Sequence, residues 1–153
     1  MSKAVEHAHF TIERQFDFAP AKVWHAWTDP TAKTAWFNGG PDCEEKVREM
    51  NFRLGGQDRL VGAWKTGMTS DFTNTYLDIV PNERIIYTYW MRLDGKLISF
   101  SLATIEFRAK GKGTTLKLTE QGAFVDGFED KGGREHGTKG LVDKLEAYLR
   151  ETA

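Results

Sequence analysis

Residues 85–109, IIYTYWMRLDGKLISFSLATIEFRA, decide the fold. They contain two long runs rich in aromatic and β-branched residues, and Asp94-Gly95 lies between the runs. Both central residues of a type I′ turn need a positive φ, and Asp-Gly is a dipeptide that favours this turn. The stretch therefore predicts a long antiparallel hairpin, and long strands in a wide sheet twist and curl.

Further turn signals flank this hairpin on both sides. Residues 44–122 have the pattern of strands separated by Gly55-Gly56, Pro81-Asn82 and Gly111-Lys112-Gly113. Consecutive hairpins produce an antiparallel meander. We therefore expect about six strands in this segment, all in one curved sheet.

The N-terminal part predicts one strand and two short helices. Apolar and polar residues alternate over residues 10–18, which is the period of a half-buried strand, and Arg14 is the exception on the inner face. Pro20 then begins a short helix. Asp29-Pro30 begins the second helix, with the aspartate as N-cap and the proline as the first helical residue.

A C-terminal helix completes the predicted fold. Residues 122–137, GAFVDGFEDKGGREHG, are rich in glycine and charge and predict a loop, whereas residues 134–150 carry apolar side chains at helical spacing on one face. A helix laid across the concave face of a curved sheet closes the core, and a pocket remains where side chains do not fill the space. The predicted class is α+β, in the order β-α-α-β6-α.

Composition limits the classes of function. The chain of 153 residues has the size of one domain, and its formal net charge of −1 favours neither nucleic acid nor an anionic membrane as partner. Cys43 is the only cysteine, so an internal disulfide and a thiolate-rich metal site are excluded. No apolar run has the length of a signal peptide or of a membrane span. We expect a cytoplasmic protein without membrane insertion.

Four segments together resemble a known family: FTIERQFDFAPAKVWHAWTDPTAKTAWF at 10–37, FRLGGQDRL at 52–60, YLDIVPNERIIYTYW at 76–90 and EHGTKGLVDKLEAYL at 135–149. Their order and spacing resemble the START-like (SRPBCC, helix-grip) superfamily. Within it they are most similar to the AHSA-like branch, named after the C-terminal domain of the activator of the heat-shock protein 90 ATPase. The resemblance covers nearly the whole chain and implies a single START-like domain over residues 1–153, with a helix-grip fold.

The resemblance implies a cavity between the sheet and the last helix, which relatives use for lipids, polyketides, hormones and other hydrophobic molecules. We therefore expect binding of a small hydrophobic or amphipathic ligand, with no cofactor and no metal. Two alternatives stay open: a cavity enzyme of cyclase, dehydratase or hydrolase type, and a stress-response protein that docks on a chaperone partner. A homodimer also stays open.

The candidate ligand-binding residues are expected to surround the space under the final helix. They are Arg14, Trp64, Tyr76, Tyr87, Tyr89, Met91, Phe100, His136, Leu141 and Leu145. Tyr87, Tyr89 and Met91 alternate along one strand of the hairpin, and Phe100 lies on its partner strand. Because aromatic side chains combine apolar area with polar atoms, this face can both pack against the helix and orient a ligand.

Two polar candidates each have two interpretations. Arg14 on an apolar strand face is costly unless it is paired or solvated, so it forms an internal ion pair or anchors an anionic head group of the ligand. His136 lies near the first turn of the closing helix, where it is either a solvated loop residue or an acid/base at the mouth of the cavity.

Other chemical motifs are missing. GGREHGTKG at 132–140 lacks the Gly-Lys-Ser/Thr order of a phosphate-binding loop, and no Gly-x-Ser-x-Gly elbow occurs. The four histidines are not spaced as metal ligands, and the acidic neighbours of Cys43 raise the pKa of its thiol. We expect no nucleotide site and no catalytic cysteine.

Overall fold

The computed structural model describes residues 4–153 and contains the predicted order of elements. The strands are β1 (Glu6–Phe16), β2 (Cys43–Glu49), β3 (Gln57–Trp64), β4 (Thr69–Val80), β5 (Arg84–Leu93), β6 (Lys96–Lys110) and β7 (Gly113–Phe124). The helices are α1 (Pro20–Thr28), α2 (Pro30–Trp36) and α3 (Gly133–Glu151), with a short 3₁₀ turn at Gly40–Asp42. The α+β prediction is confirmed.

The strands form one curved antiparallel sheet of seven strands in the order β1-β7-β6-β5-β4-β3-β2. Strands β2 to β7 are the predicted meander, whereas β1 pairs with β7, the last strand in sequence. The backbone of α3 comes closest to α1, α2 and β1, so the helix is anchored at the β1 edge of the sheet.

Local chemistry explains where the elements begin and end. Asp94 and Gly95 have φ values of 51° and 80°, as the predicted type I′ turn requires. The side chain of Asp29 accepts a 2.9 Å hydrogen bond from the backbone N–H of Ala32, so the predicted N-cap is confirmed. Strand β1 begins earlier than the alternation predicted, at Glu6.

Residues directly opposite one another on adjacent strands lie on the same face of a sheet, so the register defines rows across the concave face. One row is apolar and belongs to the core: Ile12, Leu118, Ile105 and Ile85. The next row contains Phe10, Glu120, Ala103, Tyr87 and Tyr76. The row after it contains Ala8, Gly122, Ser101, Tyr89, Asn74 and Asp58. Small side chains in the middle of these last two rows leave room above the sheet.

The core lies between the β1 end of the sheet and the helices. Val23 and Trp27 of α1 and Leu145 and Leu149 of α3 are buried there with the side chains of the apolar row. The apolar face of α3 therefore packs against this core mainly through its C-terminal half. Over residues 4–153, the helices lack the combination of length and apolarity that a membrane crossing requires.

The prediction for Phe100 is wrong. Phe100 lies opposite Trp90 on the outer face of the sheet and is 46% exposed. The inner face of β6 carries Ser99, Ser101 and Ala103 instead. The expectation assumed that the more apolar parity faces inward along this part of β6, but between Ser99 and Ala103 the inward-facing side chains are small.

Candidate functional site

A cavity of about 540 Å³ lies between the N-terminal half of α3 and the middle of the sheet. Its wall is mostly apolar, with side chains from α1, α2, five strands and α3. These include Trp27, Trp36, Phe37, Trp64, Phe72, Tyr87, Met91, Leu118 and Leu141. The volume is within the range of about 300–1,000 Å³ that is typical of small-molecule sites.

Arg134 of α3 forms the main polar feature of the cavity. Its Nη1 donates to the Tyr89 hydroxyl at 2.8 Å and to Ser101 Oγ at 3.2 Å, and its Nη2 donates to Ser99 Oγ at 2.8 Å. The guanidinium carbon lies 5.3 Å from the centroid of the Tyr89 ring and 5.1 Å from that of the Phe124 ring. Arg134 is therefore positioned by hydroxyls and aromatic faces, all of them on the sheet.

Glu120 is the second polar group, and it lies one row nearer to the core. Its side chain lines the cavity, the residue is only 5% exposed, and Oε2 has no hydrogen-bond partner among residues 4–153. Burial raises the pKa of Glu120, and the Tyr89 hydroxyl and the charge of Arg134 offset only part of this effect. The neutral carboxyl form is therefore favoured more than at the surface.

The rim of the cavity contains a second cation. Lys144 of α3 donates a hydrogen bond to the backbone carbonyl of Asn38, which joins α3 to the loop after α2. Burial lowers the pKa of Lys144. Trp64 also lines the cavity, and its Nε1 donates to Ser70 Oγ at 2.9 Å. Cys43 lies behind Trp64, and burial raises the pKa of its thiol, with a smaller contribution from Glu45 in the same direction.

Five of the ten candidate residues line the cavity: Trp64, Tyr87, Tyr89, Met91 and Leu141. Their contact with a ligand stays a prediction. Leu145 is fully buried in the core, at the end of α3 away from the cavity. Phe100 is on the other side of the sheet.

Tyr76 is buried beside the cavity in a polar cluster with Lys33 and Asp58. Lys33 Nζ lies 3.6 Å from Asp58 Oδ2 and 3.4 Å from the Tyr76 hydroxyl, which itself donates to Asp58. Burial lowers the pKa of Lys33, and Asp58 opposes this change. The cluster attaches α2 to strands β3 and β4, so Tyr76 has a structural role rather than the predicted place in the cavity wall.

Arg14 and His136 do not reach the cavity. Arg14 pairs with two carboxylates of α3, Asp143 at 2.9 Å and Glu146 at 3.4 Å, so the structure shows an ion pair, but at a partly exposed position rather than inside the protein. His136 is exposed. A helix turns by about 100° per residue, so His136 points roughly 200° away from Arg134, which faces the cavity.

Sequence reasoning missed Arg134, Glu120, Ser99 and Ser101. A signal for Glu120 was present, because Leu116, Leu118 and Glu120 share one parity of β7 and a charge on an apolar face is costly. Arg134 carried no such signal. It lies in a polar segment, and only the path of the chain brings it over the sheet.

The arrangement can hold a molecule with an apolar body and one polar end. Apolar walls contribute through the area that they remove from water, and a few placed polar groups fix the orientation of a ligand. Among residues 4–153, no three His, Cys, Asp or Glu side chains are grouped in a way that could hold a metal ion.

Comparisons with known proteins agree with this architecture. An uncharacterized protein from Rhizobium leguminosarum is 40% identical, with a TM-score of 0.93 and 97% of both chains covered. A protein from Rhizobium loti is 37% identical, with a TM-score of 0.88 over 95% of this chain and 99% of that one. An AHSA1-like protein from Aeromonas hydrophila, 20% identical over 95% of this chain and 94% of that one, shares the fold with a TM-score of 0.71.

None of the curated protein sequences compared with the chain matches it. The family model described as activator of Hsp90 ATPase homolog 1-like protein matches residues 17–150. This match covers most of the chain and includes α1, α2, the whole meander and nearly all of α3. The chain therefore belongs to the activator of Hsp90 ATPase homolog 1-like family, within the START-like superfamily that its sequence resembles.

Proposed function

We propose that the protein binds a small hydrophobic or amphipathic molecule in the cavity between α3 and the sheet. The observation that carries this proposal is the combination of a 540 Å³ apolar cavity with a buried polar end. Protein interiors are close-packed, and a core of this size normally has few voids larger than a water molecule. A space of this volume is therefore a cost to folding unless binding uses it.

The polar end supports a ligand rather than a simple packing defect. Arg134 and Glu120 both line the cavity, although side-chain packing alone favours apolar residues at such positions. Ser99 and Ser101 hold the guanidinium in one orientation, and such preorganisation lowers the cost of ordering a binding site.

A cavity enzyme is the second candidate, and Glu120 is the observation that favours it. A buried carboxyl group with a raised pKa is the kind of group that exchanges a proton with a bound molecule. Glu120 replaces His136 as the candidate acid/base, because it lies inside the cavity and His136 does not.

Native mass spectrometry of the protein purified from its host tests the binding proposal. We expect a complex with a small molecule that is retained under native conditions and lost on denaturation. Gly137→Leu is designed to fill the cavity and so to prevent ligand binding. Gly137 lines the cavity, and a Cβ added there meets no atom within 4 Å. Ala147→Leu, at an exposed position of the same helix, is the control. A mass without ligand under all growth conditions, together with no binding of apolar probes, contradicts the proposal.

A further inference from the structure

We infer that the ligand is an amphipathic carboxylate whose anionic end lies between Arg134 and Glu120. This inference rests on the proposed binding function and specifies the chemical class of the ligand. Three observations lead to it: the unused donors of Arg134, the buried carboxyl group of Glu120 in the cavity wall, and the distribution of charge along that wall.

Two of the N–H donors of Arg134 make no hydrogen bond within residues 4–153. A guanidinium has five N–H donors, and the hydrogen bonds to Tyr89, Ser99 and Ser101 use three of them. Among residues 4–153, Nε makes no hydrogen bond and Nη2 makes one, so one donor remains on each. Two neighbouring guanidinium nitrogens are the arrangement that binds a carboxylate in bidentate geometry.

Arg134 also has no direct ion-pair partner among residues 4–153. Within the described residues, no carboxylate oxygen lies within 4.0 Å of its guanidinium nitrogens. The three hydrogen-bond acceptors are neutral hydroxyls. Asp130 is close in sequence, but its Oδ1 accepts from the backbone N–H of Arg134 at 2.9 Å. A partly buried cation without a counter-ion favours an anionic ligand.

Glu120 complements such a ligand in its neutral form. The titratable groups around it are Tyr87 and Tyr89 of β5, Arg134 of α3 and Asp130 in the preceding loop. A neutral carboxyl group donates one O–H, and the side chain of Glu120 lines the cavity. A ligand carboxylate then accepts from both residues, and its charge balances that of Arg134.

The other charges of the wall discriminate between classes of anion. Lys144 is the only other cationic side chain of the cavity wall within residues 4–153, and it lies at the rim, bonded to Asn38. Asp130 is the other acidic residue of the wall besides Glu120, and its Oδ1 is already bonded to the backbone N–H of Arg134. A dianionic phosphate would need further cations at the inner end, and an amine would be repelled by Arg134. A planar monoanion fits one guanidinium and one neutral carboxyl group. Its apolar body then extends along Phe72, Met91 and Leu141.

Isothermal titration calorimetry with matched pairs of probes tests this inference. The pairs are 2-naphthoate with 2-naphthamide, decanoate with decanamide, and 4-biphenylcarboxylate with its amide. In the unaltered protein at neutral pH, we expect at least one acid to bind about tenfold or more tightly than its amide, the effect of one charge-assisted bidentate contact.

Variants then locate the preference. Arg134→Gln should reduce acid binding by about tenfold or more and change amide binding by less than about threefold. Arg134→Lys keeps the positive charge but lacks the paired donors of a guanidinium, so its acid binding should be only partly restored relative to Arg134→Gln. Arg150→Gln, at the exposed end of α3, is the matched control. Glu120→Gln should remove the decrease in acid affinity that we expect as pH rises and Glu120 ionises.

Each outcome separates this inference from the proposed function. If amides bind as tightly as acids in every pair, the carboxylate inference is overturned and the binding function stands. If no member of any pair binds, the carboxylate inference is overturned, and native mass spectrometry of the protein from its host decides the binding function separately. Circular dichroism shows whether the Arg134 variants fold. If one of them does not, the comparison of acid with amide in the unaltered protein still decides the inference.

Discussion

The Tyr89 hydroxyl on β5 lies 2.8 Å from Nη1 of Arg134 on α3, and this hydrogen bond, with those from Arg134 to Ser99 and Ser101, joins the closing helix to the middle of the sheet. Elsewhere, the backbone of α3 comes closest to α1, α2 and β1. The bond between Tyr89 and Arg134 therefore spans the region where helix and sheet are separated by the cavity. It supports the N-terminal half of α3 where no core residues do so.

Tyr89→Phe should lower the free energy of unfolding by about 1–3 kcal/mol, because it removes the acceptor from a charged donor that is partly buried. Urea unfolding measures the change. Tyr148→Phe is the matched control, since the Tyr148 hydroxyl makes no hydrogen bond within residues 4–153 and its loss should cost little. An equal effect of the two substitutions would show that the bond to Arg134 contributes nothing.

Gly140→Ala should raise the free energy of unfolding by about 0.5–1 kcal/mol, because glycine is unfavourable in a helix interior and a Cβ at Gly140 meets no atom within 4 Å. Chemical denaturation measures the gain. The reverse change at an exposed position of the same helix, Ala147→Gly, should lower stability by a similar amount. A loss of stability in Gly140→Ala would mean that the methyl group is not accommodated.

Glu120→Gln should stabilise the protein increasingly as pH rises. Burial raises the pKa of Glu120 in the folded state, so its contribution is fully present below the ordinary glutamate pKa and is lost as pH rises through the raised value. Glutamine does not ionise and avoids this loss. Urea unfolding of both proteins between about pH 4 and about pH 8 measures the difference. Glu129→Gln, at an exposed loop position, is the control, and a difference that is independent of pH would contradict the account.

Lys33→Met should lower the free energy of unfolding by about 3–5 kcal/mol, because it leaves the buried carboxylate of Asp58 without its cation. Adding Asp58→Asn should recover part of the loss, since the amide oxygen still accepts from Tyr76 and no charge remains. Thermal and urea unfolding measure both variants. Lys139→Met, at an exposed position of α3, should change stability little. A double variant that is no more stable than Lys33→Met would contradict this explanation.

Arg14→Gln should lower stability by about 1 kcal/mol or less, because its partners on α3 are partly exposed to solvent. Its binding of 2-naphthoate should stay within about twofold of the unaltered protein, because Arg14 lies outside the cavity wall. Calorimetry and urea unfolding measure the two properties. Loss of binding without loss of stability would indicate that Arg14 contacts the ligand.

Most of the fold could be predicted because its signals are local. The alternation in β1, the cap at Asp29 and the Asp94-Gly95 turn each follow from the preferences of a few adjacent residues. The closing helix could be predicted from the spacing of Leu141, Leu145 and Leu149. The family resemblance added the way in which these elements are assembled.

The site could be predicted only in part because its polar end depends on residues that are distant in sequence. Tyr87, Tyr89 and Met91 could be identified from their alternation along one strand. Arg134 could not be, because it acts through hydroxyls that lie more than thirty residues earlier in the chain. The inner face of β6 was misassigned for a related reason: an apolar criterion selects Phe100, whereas a cavity requires small side chains such as Ser101.

The pairing of β1 with β7 has a consequence for how the chain is made. Phe16 lies opposite Thr114 and Glu6 lies opposite Phe124, so the first strand must wait for about a hundred further residues before its partner leaves the ribosome. The meander can form hairpin by hairpin during synthesis, whereas the edge of β7 stays open until β1 returns to cover it. Final closure of the sheet is therefore a late, long-range step, and the nascent chain is most exposed to wrong pairing just before that step.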